Sequence, residues 1–465
     1  MGNLFSDVTC KPDMAAAALQ RDDQSALAAR LTPVQWLICG IACLGFAFDL
    51  YETLMTALIV RPVLSTLGNL RSGTPEFNLW VGLFFFLPGV AGGIFGLLGG
   101  YLTDLLGRRR VLVWSILLYA FSACAAGFAT SLPLLLFLRC NTWIGTCVEQ
   151  VAAIAWLAEL FANPKQRQSV LGYTQVAFGF GGMMVTAAYY LAVTYGEHFP
   201  AIYGAHEPWR YTLLSGLIPA IPLVLVRPFL PESPIWGEKK ARGTLKRTSV
   251  KELFRPALRK TTLWVTLMMA CSFALPFGAL QHTPRIIPGL VSAQKLAPRQ
   301  VEQTVSRVYM VQELGSLAGR LAFAFVVVYF VKQRKLLRVF VTPATIVFSG
   351  VFFYAATHSL TLLIPSIFCA QALFNGVMSF WGTYLPRIYP THVRGTGESF
   401  GYSIGGRAIG ISAALLTTTL SNVLPGGSSA ARLAHSAGTV AICALAVLLV
   451  GSFLLPEPQG DRLPE

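Results

Sequence analysis

The 465-residue chain is 54% hydrophobic and 12% charged, with a mean hydropathy of +0.59. A water-soluble protein of this size needs a far more polar surface. The formal net charge of +15 does not mark a nucleic-acid binder, because the lysines and arginines crowd into short loops on one side of the apolar segments. No clean period-two alternation runs through those segments, which excludes a transmembrane β-barrel.

The first thirty or so residues are polar, which does not fit a cleavable signal peptide. Their start, "MGNLFS", matches an N-myristoylation pattern, although one acyl chain adds little to a chain that crosses the membrane many times. Apolar stretches of bilayer length then follow one another. They predict helices over 35–59, 79–103, 111–130, 132–157, 169–194 and 211–230, then 261–285, 302–329, 337–356, 360–385, 395–420 and 434–455. The expected fold is an all-α membrane protein of twelve transmembrane helices. Its parts are an N-terminal segment 1–34, a six-helix bundle 35–230, a polar linker 231–260, a second bundle 261–455 and a tail 456–465. With the N-terminus inside, about two dozen basic residues face the cytoplasm against about seven outside, which also places the C-terminus in the cytoplasm.

The halves read as repeats. "GVAGGIFGLLGGYLTDLLGRRRVLV" around the second helix overlays "LGSLAGRLAFAFVVVYFVKQRKLLR" around the eighth. "AELFANPKQRQSVLGY" overlays "PRIYPTHVRGTGESFGY". Both overlays are offset by about 226 residues, and a duplicated six-helix unit is a carrier architecture.

Gly100, Asp104, Gly107, Arg108 and Arg109 have the spacing G-x-x-x-D-x-x-G-R-R. This stretch resembles the signature between helices 2 and 3 of the major facilitator superfamily. The family usually carries Arg after the Asp, and here Leu105 follows, which the resemblance implies weakens a cytoplasmic latch. "PESP" after helix 6, "RIYPTHVRGTGESFGYSIGGR" (387–407) and "LRCNTWIG" in helix 4 resemble stretches of the sugar-porter and metabolite or organic-acid:proton symporter branches. The resemblance covers about 45–410 and implies alternating access, with the halves rocking about a central site.

Asp49 and Glu52 stand three residues apart in helix 1, hence on one face. Acids at such depth are costly and turn to the bundle interior, usually with a partner. Counting 1.5 Å per residue from the expected ends brings Asp49 level with Arg139 of helix 4. In proton-coupled sugar porters an Asp on helix 1 and an Arg on helix 4 form the proton switch, and the resemblance carries that role to Asp49 and Arg139. Burial favours the neutral acid and a nearby guanidinium favours the anion, so a changing distance would link protons to transport. A static packing pair is the alternative. Glu52 is a further coupling or substrate candidate.

Arg407 and Glu313 are expected at mid-depth, either paired with each other or with Arg407 holding a substrate carboxylate. Gln281 and His282 at the outer end of helix 7 are substrate candidates, as are Gln175, Asn375, Trp381 and Tyr384, although packing accounts for each as readily. Glu159, Arg167, Arg320 and Arg394 join the signature residues as candidate gates.

The expected function is proton-coupled symport of a small organic anion. A sugar porter, a drug:proton antiporter and a non-transporting membrane receptor of the same fold are the alternatives. No P-loop occurs and the loops leave no room for a catalytic domain, so no enzyme activity is expected. The nine cysteines show neither metal spacing nor a paired framework; no metal and no cofactor are expected. The expected partners are a small-molecule substrate, protons and the lipid bilayer of a plasma or inner membrane, with no nucleic acid, the carrier acting as a monomer.

Overall fold

A computed structural model describes residues 33–161, 164–226, 232–242, 249–329, 332–390 and 393–457. Six helices precede the linker: α1 (Pro33–Thr66), α2 (Pro75–Leu106), α3 (Arg108–Gly127), α4 (Leu132–Leu160), α5 (Pro164–Tyr195) and α6, in two pieces (Pro208–Ser215 and Leu217–Val226). Six follow it: α7 (Pro256–Gly278), α8 (Pro298–Val326), α9 (Gln333–Gly350, with a wide turn Val351–Ala355 and a last turn Ala356–His358), α10 (Leu360–Ile388), α11 and α12 (Ser429–Leu454). α11 runs through Arg394–Phe400, a π-helical Gly401–Gly410 and Ser412–Leu420. Among the described residues eight helices are long and apolar enough to cross a membrane by that measure alone. α8 falls short because it carries Glu302, Arg307, Glu313 and Arg320. Such groups are tolerated at membrane depth when they face protein.

The polar ends of these helices are closed by local chemistry. Thr74 and Ser131, each followed within two residues by a proline, cap α2 and α4 through their hydroxyls, which satisfies donors no preceding turn can reach. At α3 the cap comes from elsewhere in the chain: the Glu232 carboxylate accepts the backbone N–H of Arg108 (3.0 Å) and of Arg109 (3.2 Å). The approach needs Gly107, which sits at φ +98° and whose added Cβ would stand 2.7 Å from the Glu232 carboxylate. The second half repeats the device. Glu457 accepts the N–H of Gln333 (2.6 Å) and Arg334 (3.3 Å) at the start of α9. Both glutamates stand in a Leu-Pro-Glu triplet, 230–232 and 455–457, just after the last helix of their half.

Small residues set the packing inside each half in matching pairs. Gly181 of α5 lies on the Ala47 carbonyl of α1, and Gly405 of α11 lies on the Thr266 carbonyl of α7. Gly99 of α2 faces Val148 of α4, and Gly319 of α8 faces the Ala372 carbonyl of α10. The seam between the halves is built from α2 on α11, with Gly82, Gly89 and Gly93 against Leu415, Ile411 and Ser403, and from α5 on α8, with Gly179 and Gly182 against Leu317 and Glu313. Close approach through small residues is how helices associate where no hydrophobic effect draws them together.

The two faces are named here by the polar linker: α6 ends and α7 begins at the linker face. At the far face the halves are tied to each other. Arg61 at the end of α1 pairs with Glu302 at the start of α8, and Tyr189 of α5 donates to the same carboxylate at 2.8 Å. Asn78 of α2 bonds Asn422 beyond α11 at 2.7 Å, and Ser306 of α8 donates to the Thr186 carbonyl of α5.

Candidate functional site

The two acids of α1 part company. Arg139, 1% exposed, bonds Glu52 rather than Asp49: its Nη1 donates to Glu52 Oε2 at 2.9 Å, and its Nη2 to the Glu52 carbonyl and to Thr56 Oγ1. The expected Asp49–Arg139 contact is thereby corrected. α1 runs 34 residues to Thr66 instead of stopping near residue 59, so the level of Arg139 falls one turn further along, at 52–56. Gly216 of α6 backs the other Glu52 oxygen so closely that a Cβ there would collide with it.

Asp49 is 5% exposed and lies nearer the linker face. Its charge acts on the Cys147 thiol of α4, and so does that of Arg407 from the opposite half. Arg407 crosses the seam: it packs beside Gly96 of α2 and donates to Gln150 Oε1 of α4. A guanidinium at mid-depth thus meets a neutral amide from the other half, with an acid in the same neighbourhood. The local cause is the π-helical winding of Gly401–Gly410, whose glycines let α11 lie against α7 (Gly405, Gly410) and against the Phe273 ring (Gly406).

Glu313 does not pair with Arg407. Its carboxylate, 1% exposed, accepts a 3.4 Å bond from Gln371 of α10 and rests on Gly182 of α5, with Arg320 about two turns away on its own helix as the nearby positive charge. Helix rotation decides this: α8 turns Glu313 to α5 while Arg407 faces α2 and α4. Arg320 stands over the Phe178 ring of α5 at 5.4 Å. Both therefore lie on the seam.

Three substrate candidates are used within their own half. Trp381 is fully buried and donates to Ser272 of α7 at 2.9 Å; Tyr384 donates to the Pro456 carbonyl at 2.7 Å; Asn375 donates to Gln371 of its own helix. In the interior of the second half Tyr384 stacks on Phe380, and Trp381 meets both rings edge-on. Gln281 and His282 lie buried in a 3-10 turn past α7, the His282 ring edge-on to Phe85 of α2. The side chains of Gln175 and Arg167 lie outside the described residues.

At the linker face the signature residues form one charge network. Arg108 bonds Asp104 (2.8 Å) and Glu159 (2.9 Å), Ser233 donates to Glu159, and Trp236 donates to the Asp104 carbonyl. Gly100 meets only ordinary contact with Val151; the close approaches of α2 are at Gly82, Gly89, Gly92, Gly93 and Gly99. Arg109 joins through its backbone N–H alone. Arg394 opens α11, with Glu398 within its electrostatic reach. Glu457 and Arg285 are among the residues that were missed. Glu457 could have been found from the repeated Leu-Pro-Glu triplet. Arg285 follows the His282 turn and is described below.

The profile of the Major Facilitator Superfamily matches residues 37–415. The chain belongs to the major facilitator superfamily. Members of this superfamily are transporters and not enzymes. This member is similar to the sialic acid transporter NanX of Escherichia coli, 26% identical over 91% of this chain and 95% of that protein. It is similar to a probable 4-methylmuconolactone transporter of Cupriavidus pinatubonensis, 25% identical over 90% of this chain and 89% of that one. A crystal structure of a D-xylose-proton symporter shares the superfamily fold with a TM-score of 0.71 and 18% identity, over 92% of this chain and 99% of that chain.

Proposed function

We propose that this transporter is a secondary active carrier that takes up a small organic carboxylate together with a proton by alternating access. The observation that carries the reading is Arg407, a mid-depth guanidinium bonded across the seam to the neutral Gln150 amide. A planar guanidinium suits a carboxylate better than an amide, so an incoming anion can replace Gln150. That anion adds negative charge in the region around Cys147, which feels both Arg407 and Asp49, and a proton taken up by Asp49 offsets it, which links the two fluxes. Glu52 is the second carboxylate in this scheme, holding α1 to α4 through Arg139. The relatives named as a sialic acid transporter and a probable 4-methylmuconolactone transporter support an acidic substrate, since both molecules are carboxylic acids.

The linker face is assigned to the cytoplasm, with both termini, on the balance of basic residues. The far-face ties then close the outside, and one carrier molecule suffices for the cycle. The test is uptake into proteoliposomes under an imposed pH gradient, with a counterflow screen of sialic acid, cis,cis-muconate, benzoate, lactate and glucose. Carboxylate accumulation that collapses with a protonophore is the expected result. Glucose uptake without any carboxylate uptake would refute it.

A further inference from the structure

Beyond α7 the chain breaks into short turns, Leu280–His282, Thr283–Ile286 and Ile287–Gly289, punctuated by Pro284 and Pro288. These turns bring Arg285 to the far-face seam. It is 8% exposed and has only neutral partners among the described residues: Asn78 Oδ1 of α2 at 2.8 Å, His282 Nδ1 at 3.2 Å and the face of Phe77 at 5.6 Å. No described carboxylate forms an ion pair with it, which is unusual for a buried cation. Two buried nitrogens here, Arg285 Nε and His282 Nε2, lack a hydrogen-bond partner, while the Phe277 backbone lies close enough to act on the imidazole. A cavity of about 30 Å³ adjoins the guanidinium, lined also by Arg61, Ser72, Asn78 and Ser429. Arg61 is already committed to Glu302.

We infer that Arg285, with His282 beside it, is a carboxylate-binding site at the far-face mouth, occupied by substrate when the halves part there. Asn78 and Arg285 come from opposite halves, so opening the far face removes the neutral acceptor and leaves the cation facing the entrance. A substrate carboxylate is the ligand that replaces Asn78 with gain, because its bond to guanidinium is charge-assisted on both sides. The site is distinct from the central one. Asn78 also bonds Ser421, 14 residues along α11 from Arg407, so the α11 backbone positions at the two sites are about 20 Å apart along the helix axis. The inference rests on the organic-anion reading above and extends it to an entry step.

The experiment measures KM for cis,cis-muconate and for sialic acid in right-side-out and inside-out vesicles. Arg285→Gln should raise KM by about tenfold or more in the orientation that presents the far face, and by less than twofold in the other. Asn78→Leu removes the closing bond but keeps the cation. It should leave the far-face KM unchanged or lower it, because a larger fraction of carriers is open there. Arg285→Lys should fall between wild type and Arg285→Gln, which separates lost charge from lost folding. If Arg285→Gln and Asn78→Leu shift KM in the same direction, or Arg285→Gln shifts neither orientation, the inference is overturned and Arg285 is only a latch. Wild-type protein that moves neither probe overturns the organic-anion reading and this inference with it.

Discussion

Replacing Glu52 by Gln tests whether the α1–α4 contact is an energetic unit. Arg139 makes three hydrogen bonds, two of them to Glu52, and its side chain is 1% exposed. Removing one partner of a buried ion pair costs about 3–5 kcal/mol, since the remaining charge has nowhere to go. The Gln amide oxygen keeps one neutral bond of about 1 kcal/mol, so a loss of about 2–4 kcal/mol is expected. Arg139→Gln should lose a similar amount. The double variant carries two amides and no charge, and should recover about 2 kcal/mol or more of the summed losses. Chemical unfolding of purified protein in detergent, followed by tryptophan fluorescence, measures all four corners of the cycle. Losses that add to within about 0.5 kcal/mol would mean that the two residues act independently, and the reasoning about this pair would fail.

Asp49→Asn should keep substrate counterflow and lose accumulation driven by a pH gradient; normal accumulation by this variant would reject Asp49 as the coupling acid. Arg407→Ala should weaken binding of a carboxylate substrate about tenfold or more with little change in the unfolding midpoint, because its bonded partner is a neutral amide; unchanged affinity in equilibrium dialysis would make it a packing residue. Gly107→Ala places a Cβ 2.7 Å from the Glu232 carboxylate at a φ of +98°, and should cost about 2–3 kcal/mol from the strained backbone and the lost cap together. Wild-type unfolding by that variant would show that the loop relaxes freely.

The twelve helices and their duplication were legible because bilayer thickness imposes a length and the repeat kept its arginines and prolines. Helix ends were less so. α1 extends to Thr66 beyond its most apolar stretch, and α11 winds loosely through Gly401–Gly410; hydropathy is blind to both. That Asp49, Glu52, Arg139 and Arg407 would turn inward followed from the cost of exposing charge to lipid. Which acid meets which arginine did not, because one turn of error in depth exchanges Asp49 for Glu52. Trp381 and Tyr384 were open to two readings because an aromatic with a polar tip has the same signature in a core as in a binding site. Arg285 escaped notice for a similar reason: at the end of an expected helix a basic residue reads as topology, and only the fold shows that it is buried.

The two glutamates that cap α3 and α9 have a practical side. Each stands beyond the last helix of its half and grips a helix begun three elements earlier, so the end of each bundle is stapled to its middle. For the second half that staple is Glu457 together with the Leu455 carbonyl, which accepts from Arg334 Nε at 2.6 Å. A reporter or affinity tag spliced in after residue 457 leaves the clasp shut, whereas one joined a few residues earlier unhooks α9 even though every membrane span is still present.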